Sequence, residues 1–335
     1  MKELVIFTLY DSWNITYKDI SSNVNFISVF KAQENKFPSK FTVIKNEFYS
    51  FCKALISFNK LYNRSLLCHG GQMGLLLFSK LFSFLLGPNY HLFIYNFYIH
   101  DLGDLRIVKL ILQFLFSNKK CTLIVQSNFE LEYYKKLIPS LNINYIPYCS
   151  DVKSSKYLKL GEFVFTGGYT NRDYNLMLEL AKLKSEIEFV FVVSSLNREF
   201  INVALPQNIK LYKDISGDEF EKLLAQAKIV VVPLKNEVGS SGQMLCIQAM
   251  RNKKAIFYSK ASSINDYFSN ENSGISFEKG DLSTLSNKLD ELFEDENKII
   301  KIGELAYIES LRFTNKVRNE KIMETIYSQG NFKTT

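Results

Sequence analysis

The stretch IVVVPLKNEVGSSGQMLCIQAM, Ile229–Met250, decides how the rest of the chain is read. Its first four residues are apolar and β-branched, the pattern of a strand buried on both faces, and Pro233 stops that strand because it has no N–H to donate. The small residues Gly239, Ser240, Ser241 and Gly242 then lead into an apolar-periodic segment that reads as a helix, Ser241–Arg251. The first turn of a helix leaves backbone N–H groups unpaired, and the peptide dipoles add positive charge at the same end. A strand, a small-residue loop and a helix start in this order make an anion site, with Ser240 and Ser241 able to cap the helix or donate hydroxyls.

Outward from this point the chain alternates strands and helices. Before it, strands are expected at Glu162–Phe165, Glu188–Val193 and Asn208–Leu211, with helices at Tyr174–Leu183 and Asp218–Gln226. After it come strands Lys254–Tyr258 and Ile275–Phe277, then helices Leu282–Phe293, Ile299–Ser310 and Asn315–Tyr327. A polar Lys/Ser-rich stretch, Tyr148–Leu160, reads as a linker, and a second such series precedes it. Strands are expected there at Leu4–Leu9, Asn25–Val29, Phe41–Ile44, Ser65–Cys68, His91–Tyr95, Thr122–Gln126 and Asn144–Ile146. Helices fill the gaps at Glu47–Asn59, Met73–Leu86, Leu105–Phe116 and Asn128–Leu137. The expected fold is α/β: two Rossmann-like domains facing a cleft. Domain bounds are expected at 1–150 and 151–312, with 313–335 forming a terminal helix that crosses back to the first domain.

Composition narrows the class. A 335-residue chain with 47% hydrophobic and 22% charged residues is globular and long enough for two cores. The longest apolar segment, Gly74–Gly87, has 14 residues and contains Lys80, too short to span a bilayer. The N-terminus reads as a first strand, not a signal peptide, so a cytoplasmic protein is expected. Five cysteines without a CxxC pair or a Cys/His cluster argue against structural zinc. The net charge of +7 falls wholly in residues 1–150, which hold 16 Lys or Arg against 9 Asp or Glu, together with 28 of the 48 aromatics. A basic, aromatic half points to an anionic surface or substrate, or else to solvated lysines around a Phe-rich core. Nucleic acid is not expected, because no recognition motif accompanies the charge.

A second segment, FVFTGGYTNRDY (Phe163–Tyr174), runs a strand into Gly167-Gly168, where backbone and ligand can approach closely, followed by Arg172. The planar fork of Arg suits a diphosphate. The structural alternative is an ion pair between Arg172 and Asp173. Lys235 is placed to reach the same anion, or to be a solvated loop lysine.

Together these segments resemble the C-terminal domain of GT-B glycosyltransferases, the group-1 or family-4-like enzymes of bacterial surface polysaccharide (O-antigen, lipopolysaccharide or capsule) synthesis. The resemblance rests on FTGGYTNRDY, on Val230–Met250, on Lys253-Lys254-Ala255-Ile256 and on GISFEKGD (Gly274–Asp281). It implies a nucleotide-sugar donor site built from Gly167, Gly168, Arg172, Lys235, Ser240, Ser241, Gly242 and Gln243. Ser194, Tyr212 and Lys213, at neighbouring strand ends, would border the base and ribose. Many retaining relatives carry two glutamates around this helix. Here Gln248 stands for the second and Ser240 falls at the first, so the stereochemistry stays open. Gln248 can still hydrogen-bond a ribose hydroxyl, but it carries no charge.

In the first half, His100 and Asp101 lie past a strand end, where Asp101 can act as a base and His100 can orient the sugar; a helix cap is the alternative. Asp11, after the first strand, is the rival base. His69, Gly70 and Gly71 form either an acceptor contact or a packing turn. No Asp-x-Asp motif is present, so no metal and no cofactor are expected, the nucleotide sugar being a substrate. The expected partners are that donor and a glycan or lipid-linked saccharide acceptor, with peripheral contact at the inner face of an anionic membrane. The rival readings are a catalytically inactive GT-B-like glycan-binding or partner subunit and, less well supported by three histidines, an epimerase of the same fold.

Overall fold

The computed structural model of the chain describes residues 4–17, 20, 24–31, 39–70, 72–97, 106–117, 119–151, 161–197, 200, 204–236, 239–269 and 272–329. The chain divides into two units, one running to Pro147 and resumed at Asn315, the other spanning Tyr148–Thr314.

The first unit is built on six parallel strands: β1 (Leu4–Tyr10), β2 (Val24–Phe30), β3 (Ser65–His69), β4 (His91–Tyr95), β5 (Cys121–Val125) and β6 (Asn142–Tyr145). Their order is β2-β1-β3-β4-β5-β6. The register sets Thr8 opposite both Ser28 and His69. Its helices are α1 (Lys40–Ile56), the single turn α2 (Phe58–Leu61), α3 (Gln72–Phe82), α4 (Arg106–Phe116) and α5 (Asn128–Leu137). The steps from β2 through β6 all run the same way across the sheet, so right-handed crossovers put α1, α3, α4 and α5 on one face. That layer buries Val5, Phe7, Leu66, Leu92 and Ile94 against Ala54, Leu75, Phe78 and Leu112. The alternate residues Leu4, Ile6, Leu67 and Phe93 point the other way. They are covered by the 3-10 turn Asp11–Tyr17 and by α12 (Asn315–Gln329), through Tyr17, Ile322 and Ile326. Each such large apolar side chain contributes roughly 1.5–3 kcal/mol by leaving water.

Phe41–Ile44 is helix, not strand. Ser39 caps the helix, its Oγ accepting from Thr42 N–H at 3.2 Å, and the apolar run forms the first turn of α1. Phe41 is 76% exposed, so nothing buries this run as a strand would be buried. The helix is held tightly against α3. A Cβ on Gly74 would lie 2.1 Å from the Glu47 carbonyl oxygen, and Gly74 N–H donates to Glu47 Oε2 at 2.9 Å.

The second unit has strands β7 (Phe163–Gly167), β8 (Glu188–Val193), β9 (Ile209–Lys213), β10 (Ile229–Val232), β11 (Ala255–Ser259) and β12 (Ile275–Phe277). Its helices are α6 (Tyr174–Leu183), α7 (Gly217–Gln226), α8 (Gln243–Arg251), α9 (Ser262–Asn265), α10 (Leu282–Phe293) and α11 (Glu296–Ser310). All strand pairs are parallel, in the order β12-β11-β10-β7-β8-β9. The chain steps one way from β7 to β9, then returns to pair β10 on the opposite side of β7. Helix α6 therefore packs on one face with α10, and α7 and α8 pack on the other. Between β7 and β10 the connections leave in opposite directions and open a crevice at the carboxyl ends of the strands. Both chemistry-bearing segments of the sequence end there. The Gly280-Asp281 turn is a helix start: Gly280 has φ +76°, and Asp281 caps α10 by accepting from Thr284 N–H and Oγ1.

Candidate functional site

The loops that follow β7 and β10 are fastened to one another. Arg172 and Leu234 form an antiparallel bridge, and Asp173 N–H donates to the Pro233 carbonyl at 3.0 Å. Lys235 N–H donates to the Asn171 carbonyl at 3.1 Å. Asn171, at φ +56°, donates from Nδ2 to the Asn236 carbonyl at 2.8 Å, and Asn236 N–H returns a bond to Asn171 Oδ1 at 3.1 Å. Asn is among the few residues that tolerate this left-handed backbone.

This lacing places Arg172 beneath the crevice. Arg172 Nε donates to the Gly167 carbonyl at 2.9 Å and Nη1 to the Thr170 carbonyl at 3.1 Å. Gly168 has no side chain for a physical reason: a Cβ there would lie 2.7 Å from Nε and Nη2 of Arg172. The guanidinium is buried, and among the described residues no carboxylate pairs with it. Asp173 instead caps α6, accepting from Leu176 N–H at 3.1 Å. Burial pulls the pKa of Arg172 below the ordinary arginine value, partly offset by the nearby Tyr174 and Cys246. A buried cation bonded, among the described residues, to two carbonyls holds a favourable position for an anion.

Helix α8 begins later than expected. Its N-cap is Gly242, at φ +89°, with no side-chain cap hydrogen bond; neither Ser240 nor Ser241 caps the helix. A Cβ at Gly242 would come within 2.6 Å of Ile264 Cδ1 and 3.2 Å of Val232 Cγ1, so glycine is required for both space and backbone sign. Seating the loop this close to β10 aims the first turn of α8 into the crevice.

A cavity of about 250 Å³ occupies this place, and Gly167, Gly168, Arg172, Ser240, Ser241, Gly242 and Gln248 all line it. Gln243 is buried as the first residue of α8, and Lys235 is exposed; neither lines the cavity. Ser194, Tyr212 and Lys213 do not line it either. Ser194 is fully buried and bonds within its own turn, its Oγ accepting from Leu196 N–H at 3.0 Å. Tyr212 packs against the apolar layer under α7, and Lys213 is exposed. The wall they were expected to form is made by the next residues, Asp214, Ile215, Ser216 and Gly217, with Phe220 behind them. Asp214 has φ +53° and accepts from Ser195 N–H at 3.0 Å, which turns the chain into the cavity. A larger groove, about 600 Å³, lies between α10 and α11 at the amino end of β12, away from the strand carboxyl ends.

In the first unit the corresponding crevice lies between β1 and β3, whose connections also diverge. Asp11 opens the 3-10 turn after β1 with an exposed side chain, and His69 ends β3. His69 is ringed by Trp13, Tyr17 and Tyr95 at centroid distances of 4.7, 5.7 and 5.5 Å, and its Nδ1 bonds the Tyr17 hydroxyl at 3.0 Å. Burial first, and the Arg318 charge second, lower its pKa to about 4. Gly70, at φ +85°, would place a Cβ 2.7 Å from the Trp13 ring, so this is a packing turn around an aromatic box. Arg318 of α12 lies 5.2 Å over the Tyr17 ring and donates to the Thr16 carbonyl at 2.6 Å. Gly71, His100 and Asp101 lie outside the described residues. His91 is structural, its Nε2 bonded to Thr122 Oγ1 at 2.8 Å between β4 and β5. Among the described residues no group of three His, Cys, Asp or Glu is arranged to hold a metal.

Two units of parallel six-stranded sheets with helices on both faces form the GT-B glycosyltransferase fold, matched in solved structures across nearly the whole chain. Residues 162–308, which contain the laced loops and the cavity, match the family "Glycosyl transferases group 1". HepE from Anabaena, solved in complex with UDP, is similar at a TM-score of 0.70 and 13% identity, over 97% of this chain and 100% of that one. A glycosyltransferase from Rickettsia africae is similar at 0.67 and 14% identity, covering 98% of each chain. TarM from S. aureus is similar at 0.64 and 14% identity over 83% of this chain, which spans 58% of TarM's length. No curated protein sequence matches the chain.

Proposed function

We propose that the chain is a glycosyltransferase that moves a sugar from a nucleotide-diphosphate donor, seated in the β7/β10 crevice, to a glycan or lipid-linked saccharide acceptor in surface polysaccharide synthesis. The observation that carries this reading is Arg172: a buried guanidinium that no carboxylate among the described residues pairs with, lining the same cavity as the start of α8, which has no side-chain cap. Both supply positive charge to the departing diphosphate without reorganising, which is how a preorganised site lowers a barrier. No metal or cofactor takes part in this reading. The UDP complex of a structure with this fold supports it.

Ser240 and Gln248 face the cavity where the resemblance led us to expect carboxylates. This favours a second reading, a partner subunit that binds a sugar nucleotide or glycan without turnover. A thermal-shift panel of UDP-, GDP-, dTDP- and CMP-sugars, followed by a transfer assay, separates the two. One nucleotide class should raise Tm, and radiolabelled sugar should reach a lipid-linked acceptor. A Tm shift without transfer or hydrolysis, or no shift with any nucleotide, favours the partner subunit and contradicts the transferase reading.

A further inference from the structure

We infer that the α1–α3–α4 face of the first unit docks on an anionic lipid bilayer. Helix α4 carries apolar residues on both sides. Leu112, Leu115 and Phe116 are buried against the sheet, whereas Ile107, Leu110 and Phe114, spaced three and four apart, are each more than half exposed. A helix apolar on its outer face is unlike the ordinary surface helix, whose outer face is polar. Its neighbours also expose apolar side chains. Phe48 on α1 and Phe84, just past α3, are also more than half exposed. The three helices touch: Gly74 of α3 packs on the α1 backbone at Glu47, and Lys80 of α3 lies 4.8 Å over the Phe114 ring of α4. Apolar side chains exposed on three touching helices mark an interaction surface.

Charge selects the occupant. Residues 39–97 and 106–120, which build this face and the strands beneath it, contain ten Lys or Arg and one acidic residue, Glu47. The Glu47 carboxylate is engaged by Gly74 N–H between the helices. Asp101 and Asp104, between the two segments, lie outside the described residues. Arg106 and Lys109 on α4 and Lys45 on α1 are exposed around the apolar residues. A second copy of this chain would bring cations against cations. A bilayer with anionic headgroups matches both features, taking the apolar side chains at the acyl boundary and the cations at the phosphates. Lys80, with its stem on Phe114 and its ammonium 2.5 Å from Ser117 Oγ, is placed to extend to that boundary. No described helix is long and apolar enough to cross a membrane, so the contact is interfacial. The inference rests on the proposed function only for its purpose, bringing the enzyme to a lipid-linked acceptor.

Co-sedimentation of the full chain with phosphatidylcholine vesicles, with and without phosphatidylglycerol, tests it. Binding should require phosphatidylglycerol and weaken with salt. Arg106→Gln with Lys109→Gln should weaken it about 30-fold, from about 5-fold per cation near the surface. Leu110→Glu with Phe114→Glu should abolish it, and Ile308→Glu, an exposed apolar site of the second unit, should leave it unchanged. Circular dichroism confirms that each variant folds, and the cation pair tests the face even if the apolar pair does not fold. Equal binding to both vesicle types, retention by both double variants, or self-association without vesicle binding overturns the inference. A nucleotide-induced Tm shift measured on the same samples reports the donor site separately, so vesicle binding can fail while the transferase reading stands.

Discussion

Asn171 and Asn236 clasp one another across the carboxyl edge of the second sheet, Nδ2 to carbonyl at 2.8 Å and N–H to Oδ1 at 3.1 Å. The clasp joins the loop carrying Arg172 to the loop that follows β10, so two elements of the proposed donor site are tied to each other. Asn171→Gly keeps the left-handed backbone accessible and removes the side chain. It should cost about 1–3 kcal/mol of stability in urea unfolding, the worth of two hydrogen bonds. It should also weaken nucleotide binding by calorimetry.

Arg172 bears most of the proposed donor affinity. Arg172→Gln removes the charge and leaves the Gly167 and Thr170 carbonyls short of donors. Affinity for a nucleoside diphosphate should fall about 10- to 100-fold, the range of charge-assisted bonds at about 1.5–3 kcal/mol. Calorimetry on folded protein reads this directly. Undiminished affinity would remove Arg172 from the site.

Gly242 joins packing and binding. Alanine there meets Ile264 Cδ1 at 2.6 Å and holds a φ of +89°. The expected cost is about 1–3 kcal/mol from strain, read from urea midpoints. The double change with Ile264→Val should recover the steric part and leave the backbone part.

Burial, with Arg318 beside His69 and Lys120 beside His91, lowers both histidines to about 4, below their ordinary value near 6.5. Between these values the unfolded chain binds more protons than the folded one, so stability rises with pH. It should be fully present above about pH 6.5 and be lost as the pH falls toward about 4. The urea midpoint measured across this window should slope upward, and His69→Gln should flatten the slope by its share.

The second unit was largely legible because most of its strands are short apolar runs rich in Val, Ile and Phe, and β7 and β10 stop at Gly167 and Pro233. What the sequence concealed lies at element ends. Ser240 and Ser241 are preferred capping residues, yet the helix starts after Gly242, because only glycine fits against Ile264 and Val232. The cavity wall was expected at Tyr212 and Lys213 and is formed by Asp214–Gly217, since no local pattern reports how far β9 runs before Asp214 turns it. Phe41–Ile44 has the composition of a strand, and its helical state follows from the Ser39 cap and the packing of α1 on Gly74. Its apolar exposure had no sequence signal distinct from burial.

The central claim is that a nucleotide diphosphate sits between the β7 and β10 loops. Hydrogen exchange of the whole chain with saturating nucleoside diphosphate tests it most directly. Protection should appear in Gly167–Arg172, Asp214–Gly217 and Gly239–Leu245. Ligand binding that leaves these three segments unprotected would contradict it.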